Sequence, residues 1–99
     1  MKTTRLASGL GFYGDSWEPV RAAIERGGVN YVCSDHLAEL TLAILRKDQA
    51  RDSTAGFTRD LVPMLSALWP GAAAHGVKFI LNAGVLNPRG SASALKAAF

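Results

Sequence analysis

Val29-Asn30-Tyr31-Val32-Cys33-Ser34-Asp35-His36-Leu37-Ala38-Glu39-Leu40-Thr41 is the stretch on which the fold of this chain turns. Val29 to Cys33 is short, β-branched and aromatic, and reads as a strand. From His36 to about Ala50 runs the most apolar helix of the sequence, with Glu39 the one charge in its first half. Leu37, Leu40 and Ile44 fall at i, i+3 and i+7, the spacing of a core stripe. At about 100° per residue, Asp35, Glu39 and Arg46 share one direction to within roughly 40°. Carboxylates at i and i+4 repel slightly, so two readings compete. In one, Asp35 caps the helix and Glu39 sits on a solvated first turn, both favoured by the helix dipole. In the other, the pair does acid–base work. A capping box wants Glu three residues after the cap, and Asp35 has Ala38 there, so the structural reading explains Asp35 better than Glu39.

Outward from this stretch the chain alternates. Arg5 to Ser8 reads as a strand, Gly9 to Ser16 as a loop, and Trp17 to Arg26 as a helix stopped by Gly27-Gly28. Beyond the central helix, Arg51 to Phe57 is a polar loop. A helix then begins at Thr58 or Asp60, with Leu61, Met64, Leu65 and Leu68 as its stripe, and Trp69-Pro70-Gly71 is expected to break it. Val77 to Leu81 is an apolar run suited to a buried parallel strand. Asn82 to Pro88 is a loop, and Ser91 is placed to cap a last helix reaching Phe99.

This order predicts an α/β fold, a mainly parallel sheet with helices on its faces. Strand order is open at this point. The loops Gly9–Ser16, Ser34–Glu39 and Asn82–Asn87 each follow a strand, so a parallel sheet gathers them at its carboxyl edge, where such sheets bind ligands. Asp15, Asp35 and Glu39 are the candidate catalytic carboxylates there. Gly11, Gly14, Asn82, Gly84 and Asn87 are the candidate ligand-binding positions.

Gly9, Gly11 and Gly14 also spell a dinucleotide fingerprint, with Asp35 lying 21 residues past Gly14. Pro19 argues against it. If Gly14 lay in the first helical turn, Pro19 would kink the helix, whereas a cap at Asp15 or Ser16 puts Pro19 where its missing N–H costs nothing. A nucleotide-binding module built on this loop stays as the alternative.

Composition bounds the rest. With 99 residues, 48% hydrophobic and 19% charged, the chain suits one small folded domain. No apolar run approaches the roughly 20 residues of a membrane span, and no apolar segment follows the basic start, so no signal peptide is read. Cys33 alone makes no internal disulfide, in keeping with a cytoplasmic location. The net charge of +3 is scattered, which argues against nucleic-acid and membrane partners. His36, His75 and Cys33 lack metal-ligand spacing, so no metal site is expected.

Gly11-Phe12-Tyr13-Gly14-Asp15, Asp35-His36-Leu37-Ala38-Glu39-Leu40-Thr41 and Asn82-Ala83-Gly84-Val85-Leu86-Asn87-Pro88 together resemble the N-terminal region of the acyclic terpene utilisation (AtuA-like) family. Gly56-Phe57 and Asp60-Leu61-Val62 resemble it in spacing. The family pattern carries Tyr at the position of His36, Gly at Val85 and often Arg at Ser16. The resemblance implies a bacterial, cytoplasmic protein in the catabolism of acyclic isoprenoids of the citronellol and geraniol type. An isoprenoid acid or its coenzyme A ester is the implied small-molecule partner, with the cofactor and reaction left open. It also implies that residues 1–99 are the N-terminal part of a larger α/β domain, completed by the remainder of the chain or by a homo-oligomer. A non-catalytic subunit is the further alternative.

Overall fold

The computed structural model describes residues 2–99. The elements run β1 (Leu6–Ser8), α1 (Glu18–Arg26), β2 (Tyr31–Ser34), α2 (Glu39–Arg51), α3 (Leu61–His75), β3 (Lys78–Leu81) and α4 (Pro88–Ala98). The three strands form a parallel sheet in the order β1-β2-β3. The α/β architecture with a parallel sheet is as the sequence predicts, and the order left open is now resolved, with β2 central.

Right-handed crossovers between strands laid down in this order carry both connections to the same face. There α1 packs on α3 and α3 on α4. The core between them and the sheet contains Leu10, Val20, Ile24, Val32, Met64, Leu68, Ala72 and Ala83. On the sheet, Ala7, Val32, Phe79 and Leu81 contribute to this side. The alternate positions Leu6 and Ile80 are exposed, at 64% and 56%.

Three local expectations are corrected. First, α3 runs through Pro70 to His75 instead of breaking at Trp69-Pro70-Gly71. Pro70 removes one backbone donor, but the buried stripe Met64, Leu65, Leu68 and Ala72 spans the proline on both sides and holds the helix in one piece. Gly76, in the left-handed region, ends it by donating to Ala72 and Ala73. Second, Asn87, not Ser91, caps α4: its side chain accepts from Gly90 N–H, with Pro88 opening the helix. Ser91 is buried and donates its hydroxyl to Pro88 O.

Third, α2 starts at Glu39 rather than His36, and its N-cap Ala38 offers no side-chain acceptor. Asp35 therefore does not cap it. The i, i+4 relation between Asp35 and Glu39 lapses as well, because residues 35–38 are not helical. Nor is the stripe buried as expected: Leu37 and Leu40 are 46% and 56% exposed, and Thr41 and Leu45 are the buried residues of α2.

Candidate functional site

The carboxyl edge of the sheet is tied together by backbone and side-chain hydrogen bonds across all three loops. Gly9 N–H donates to Cys33 O at 2.7 Å and Asp35 N–H to Leu10 O at 2.9 Å, joining the first loop to the second. Leu10 N–H donates to the buried Ser34 hydroxyl at 2.5 Å. Gly9 has to be glycine here, since a Cβ would lie 2.3 Å from Ser34 Oγ.

Asn82 joins the second loop to the third. Its Nδ2 donates to Asp35 Oδ1 at 2.8 Å, and its Oδ1 accepts from His36 N–H at 2.7 Å. Asp35 Oδ1 also accepts from Leu37 N–H at 3.1 Å. These two bonds, Asn82 first and the Leu37 backbone second, hold the Asp35 carboxyl below the usual carboxylate range. The Asp35 carboxylate is thus favoured over its protonated form.

Beside this pair lies a cleft of about 240 Å³ lined by Leu37, Leu81, Asn82, Gly84, Val85 and Pro88. Its walls are apolar apart from Asn82. Gly84 brings the loop against α4: a Cβ there would sit 2.9 Å from Pro88 Cα. Asn82 and Gly84, both anticipated as binding positions, therefore line one cleft, and Asp35 is hydrogen-bonded to two of its lining residues, Asn82 and Leu37.

The other anticipated residues lie apart from it. Asp15 turns into its own loop, accepting from Gly11 N–H at 3.3 Å. With Gly14, Ser16, Trp17 and Glu18 it lines a separate cavity of about 350 Å³. Glu39 opens α2 with its side chain exposed. Asn87 is spent on structure: besides capping α4, its Nδ2 donates to Thr54 O and Ala55 O at 3.0 and 3.2 Å.

Sequence reasoning missed several residues. His36 is 1% exposed and neither ring nitrogen has a partner among the described residues; the hydroxyls of Thr41 and Thr58 and one oxygen of Asp60 are likewise buried and unpaired. Burial holds the His36 imidazole below its ordinary pKa, against the opposing pull of Asp60 and Asp35. Nothing local in the sequence marks His36 as buried; its backbone N–H is held by Asn82, 46 residues away. Tyr13 and Arg59 were also passed over. Tyr13 Oη accepts from Arg59 N–H at 3.2 Å, and the Arg59 guanidinium forms a two-pronged ion pair with Asp48 of α2. That pair and the neighbouring Arg51 hold Asp48 low in pKa.

Among the described residues no group of three or more His, Cys, Asp and Glu side chains is placed to hold a metal ion, and no helix is long and apolar enough to cross a membrane. No curated protein and no solved structure matches the chain. The family model described as acyclic terpene utilisation family protein AtuA matches residues 4–99. With that match spanning almost every residue and the three quoted loops gathered at one sheet edge, the chain belongs to the acyclic terpene utilisation family.

Proposed function

We propose that this chain supplies part of a site that binds an acyclic isoprenoid acid, held as its coenzyme A ester, during breakdown of acyclic isoprenoids. The observation that carries the reading is the apolar cleft lined by Asn82, whose side chain holds the Asp35 carboxylate. Leu37, Leu81, Val85 and Pro88 suit a hydrocarbon chain. Asn82 Nδ2 has two N–H groups, one of which is engaged by Asp35, leaving the other for a ligand carbonyl. Asp35, kept anionic next to it, repels a free carboxylate and favours the neutral carbonyl of an ester. Asp35 and Asn82 then position and polarise; the reaction that follows is left unassigned.

The glycine loop suits phosphate poorly. The N–H groups of Gly9 and Gly11 are already donated to Cys33 O and Asp15, and Asp15 and Glu18 place negative charge at the start of α1. A cleft of this size is below the roughly 300–1,000 Å³ typical of ligand pockets, so it accommodates part of a ligand.

The test is calorimetric titration with the N-acetylcysteamine thioester of a 3,7-dimethyl ten-carbon acid. Saturable binding is expected, weakened about tenfold in Leu37→Gln, with the melting temperature unchanged because Leu37 is half exposed. Binding of an adenine nucleotide that Gly11→Ala abolishes, with no thioester binding, would favour the glycine-loop alternative instead.

A further inference from the structure

Residues 35–38 are suited to two structures. Their sequence continues the helical apolar period of α2, and Asp35 is of the type favoured as a cap. Yet the chain stays extended as far as Ala38, which has no side-chain acceptor to offer, so α2 forgoes the better start. Asp35 Oδ1 nevertheless accepts from Leu37 N–H at 3.1 Å, the bond a cap makes to the second residue of a helix. One residue of the third loop holds the extended form. Asn82 accepts from His36 N–H at 2.7 Å and donates to Asp35 Oδ1 at 2.8 Å. In the same arrangement His36 is 1% exposed, and neither ring nitrogen has a partner among the described residues. The charged groups acting on the imidazole are Asp60, which precedes α3, and Asp35 on its own segment. A place where the local pattern and the fold disagree in this way is a candidate for function.

We propose that residues 35–38 form a two-state segment, extended while His36 is neutral and buried, and helical with Asp35 as its cap once His36 is protonated and released. Burial favours the neutral imidazole, against the pull of both carboxylates. In the released form the ring lies in water and titrates at about pH 6.5. Acid therefore favours release. The ratio of the two forms shifts by up to about tenfold per pH unit below about pH 6.5, until the lower pKa of the buried form is passed. Release gives up the two Asn82 bonds. In return, Leu40 N–H and Thr41 N–H gain the carbonyls of His36 and Leu37 as helical partners. A cation at the first helical position is opposed by the helix dipole, but by less than an unpaired charge costs when buried. Leu37 and Asn82 both line the cleft, so the conversion moves one wall relative to another and makes the cleft pH-dependent. This holds whatever ligand the cleft takes and does not rest on the thioester reading.

The experiment follows the isotope-labelled protein by NMR from about pH 8 to about pH 5, in wild type, His36→Phe and Asn82→Ala. The Cα shifts of residues 36–38 report helix, the imidazole signals report the charge on His36, and the amides of α3 report the fold as a whole. In wild type the Cα shifts are expected to move to helical values together with the His36 titration, with the Asn82 side-chain amide shifting in step and the α3 amides in place. His36→Phe is expected to stay extended at every pH. Asn82→Ala is expected to be helical at residues 36–38 already at the start of the titration. Residues 36–38 of wild type that stay extended down to about pH 5 overturn the proposal. So does loss of the α3 amides along with them, which would make the event general unfolding. Conversion in His36→Phe would show that another group is the trigger, and an extended segment in Asn82→Ala that Asn82 is not the hold; either result refutes the mechanism.

Discussion

His36 and Asp35 are neighbours with opposite tasks. The imidazole is buried, and Asp35 is exposed to solvent. The pH dependence of stability follows from the direction of each shift. Burial lowers the pKa of His36 in the fold. Below about pH 6.5 the unfolded chain takes up a proton that the folded chain refuses, so stability falls with acidification until the folded pKa is passed. Asp35, Asp48 and Asp52 are all lowered, through Asn82, Arg59 and Thr54 respectively. Their stabilisation is complete above about pH 4 and disappears as the pH drops through their folded pKa values. Thermal melts between pH 8 and pH 3 should show two stages of loss. His36→Tyr should erase the first stage and leave the second. A first stage that persists in His36→Tyr would assign it to another group. Gly9→Ala is the steric counterpart. A Cβ at 2.3 Å from Ser34 Oγ and 3.1 Å from Val32 Cγ1 must displace the Ser34 hydroxyl that holds Leu10 N–H, costing about 1–3 kcal/mol in a denaturant titration.

At the level of elements, α2 stands out. It begins on Ala38, which leaves its first N–H groups without a side-chain partner, and among the described residues it shares no extensive packed face with another helix or strand. Its main anchors are the buried Leu45 and the Asp48–Arg59 ion pair. Ala38 has the extended backbone an N-cap requires, so Ala38→Ser should stabilise the protein by about 0.5–2 kcal/mol, read from chemical denaturation. Amide exchange should be faster in α2 than in α3, whose stripe lies in the core.

This helix also marks the limit of what the sequence revealed. Strands were readable because β2 and β3 are short apolar runs bounded by turn residues, and alternation with helices implied their parallel pairing. The start of α2 was not readable. His36 and Leu37 continue a helical apolar pattern, and only Asn82, distant in sequence, shows why the chain there is extended: it takes the His36 N–H and the Asp35 carboxylate. The site was legible to the same degree. The loop rule brought Asp35, Asn82 and Gly84 to one edge, whereas Leu37, Val85 and Pro88 became part of it only once the loops were folded against one another.

As a whole the molecule is longer than a compact domain. Its radius of gyration is 14.0 Å, against about 13 Å for 100 residues, and it measures 47 × 28 × 26 Å. Leu6 and Ile80 on the sheet and Leu37, Leu40 and Leu42 at α2 expose apolar surface. Parallel sheets are ordinarily covered on both faces. The 99-residue chain should therefore associate as its concentration rises, and Ile80→Lys should reduce that association in sedimentation velocity runs. Monomeric behaviour at millimolar concentration would count against the exposed surfaces being adhesive.

The claim on which the functional account depends is that the ligand enters the cleft at the carboxyl edge. An NMR titration of the isotope-labelled protein with the branched thioester tests this most directly. The account predicts saturable shifts at the Asn82 side-chain amide and at the backbone amides of Leu37, Gly84 and Val85. Amides of the glycine loop, Gly9 to Gly14, should stay in place. Shifts confined to that loop, or to the cavity at the opposite edge formed by Lys2, Thr3, Asn30 and Lys78, would contradict it.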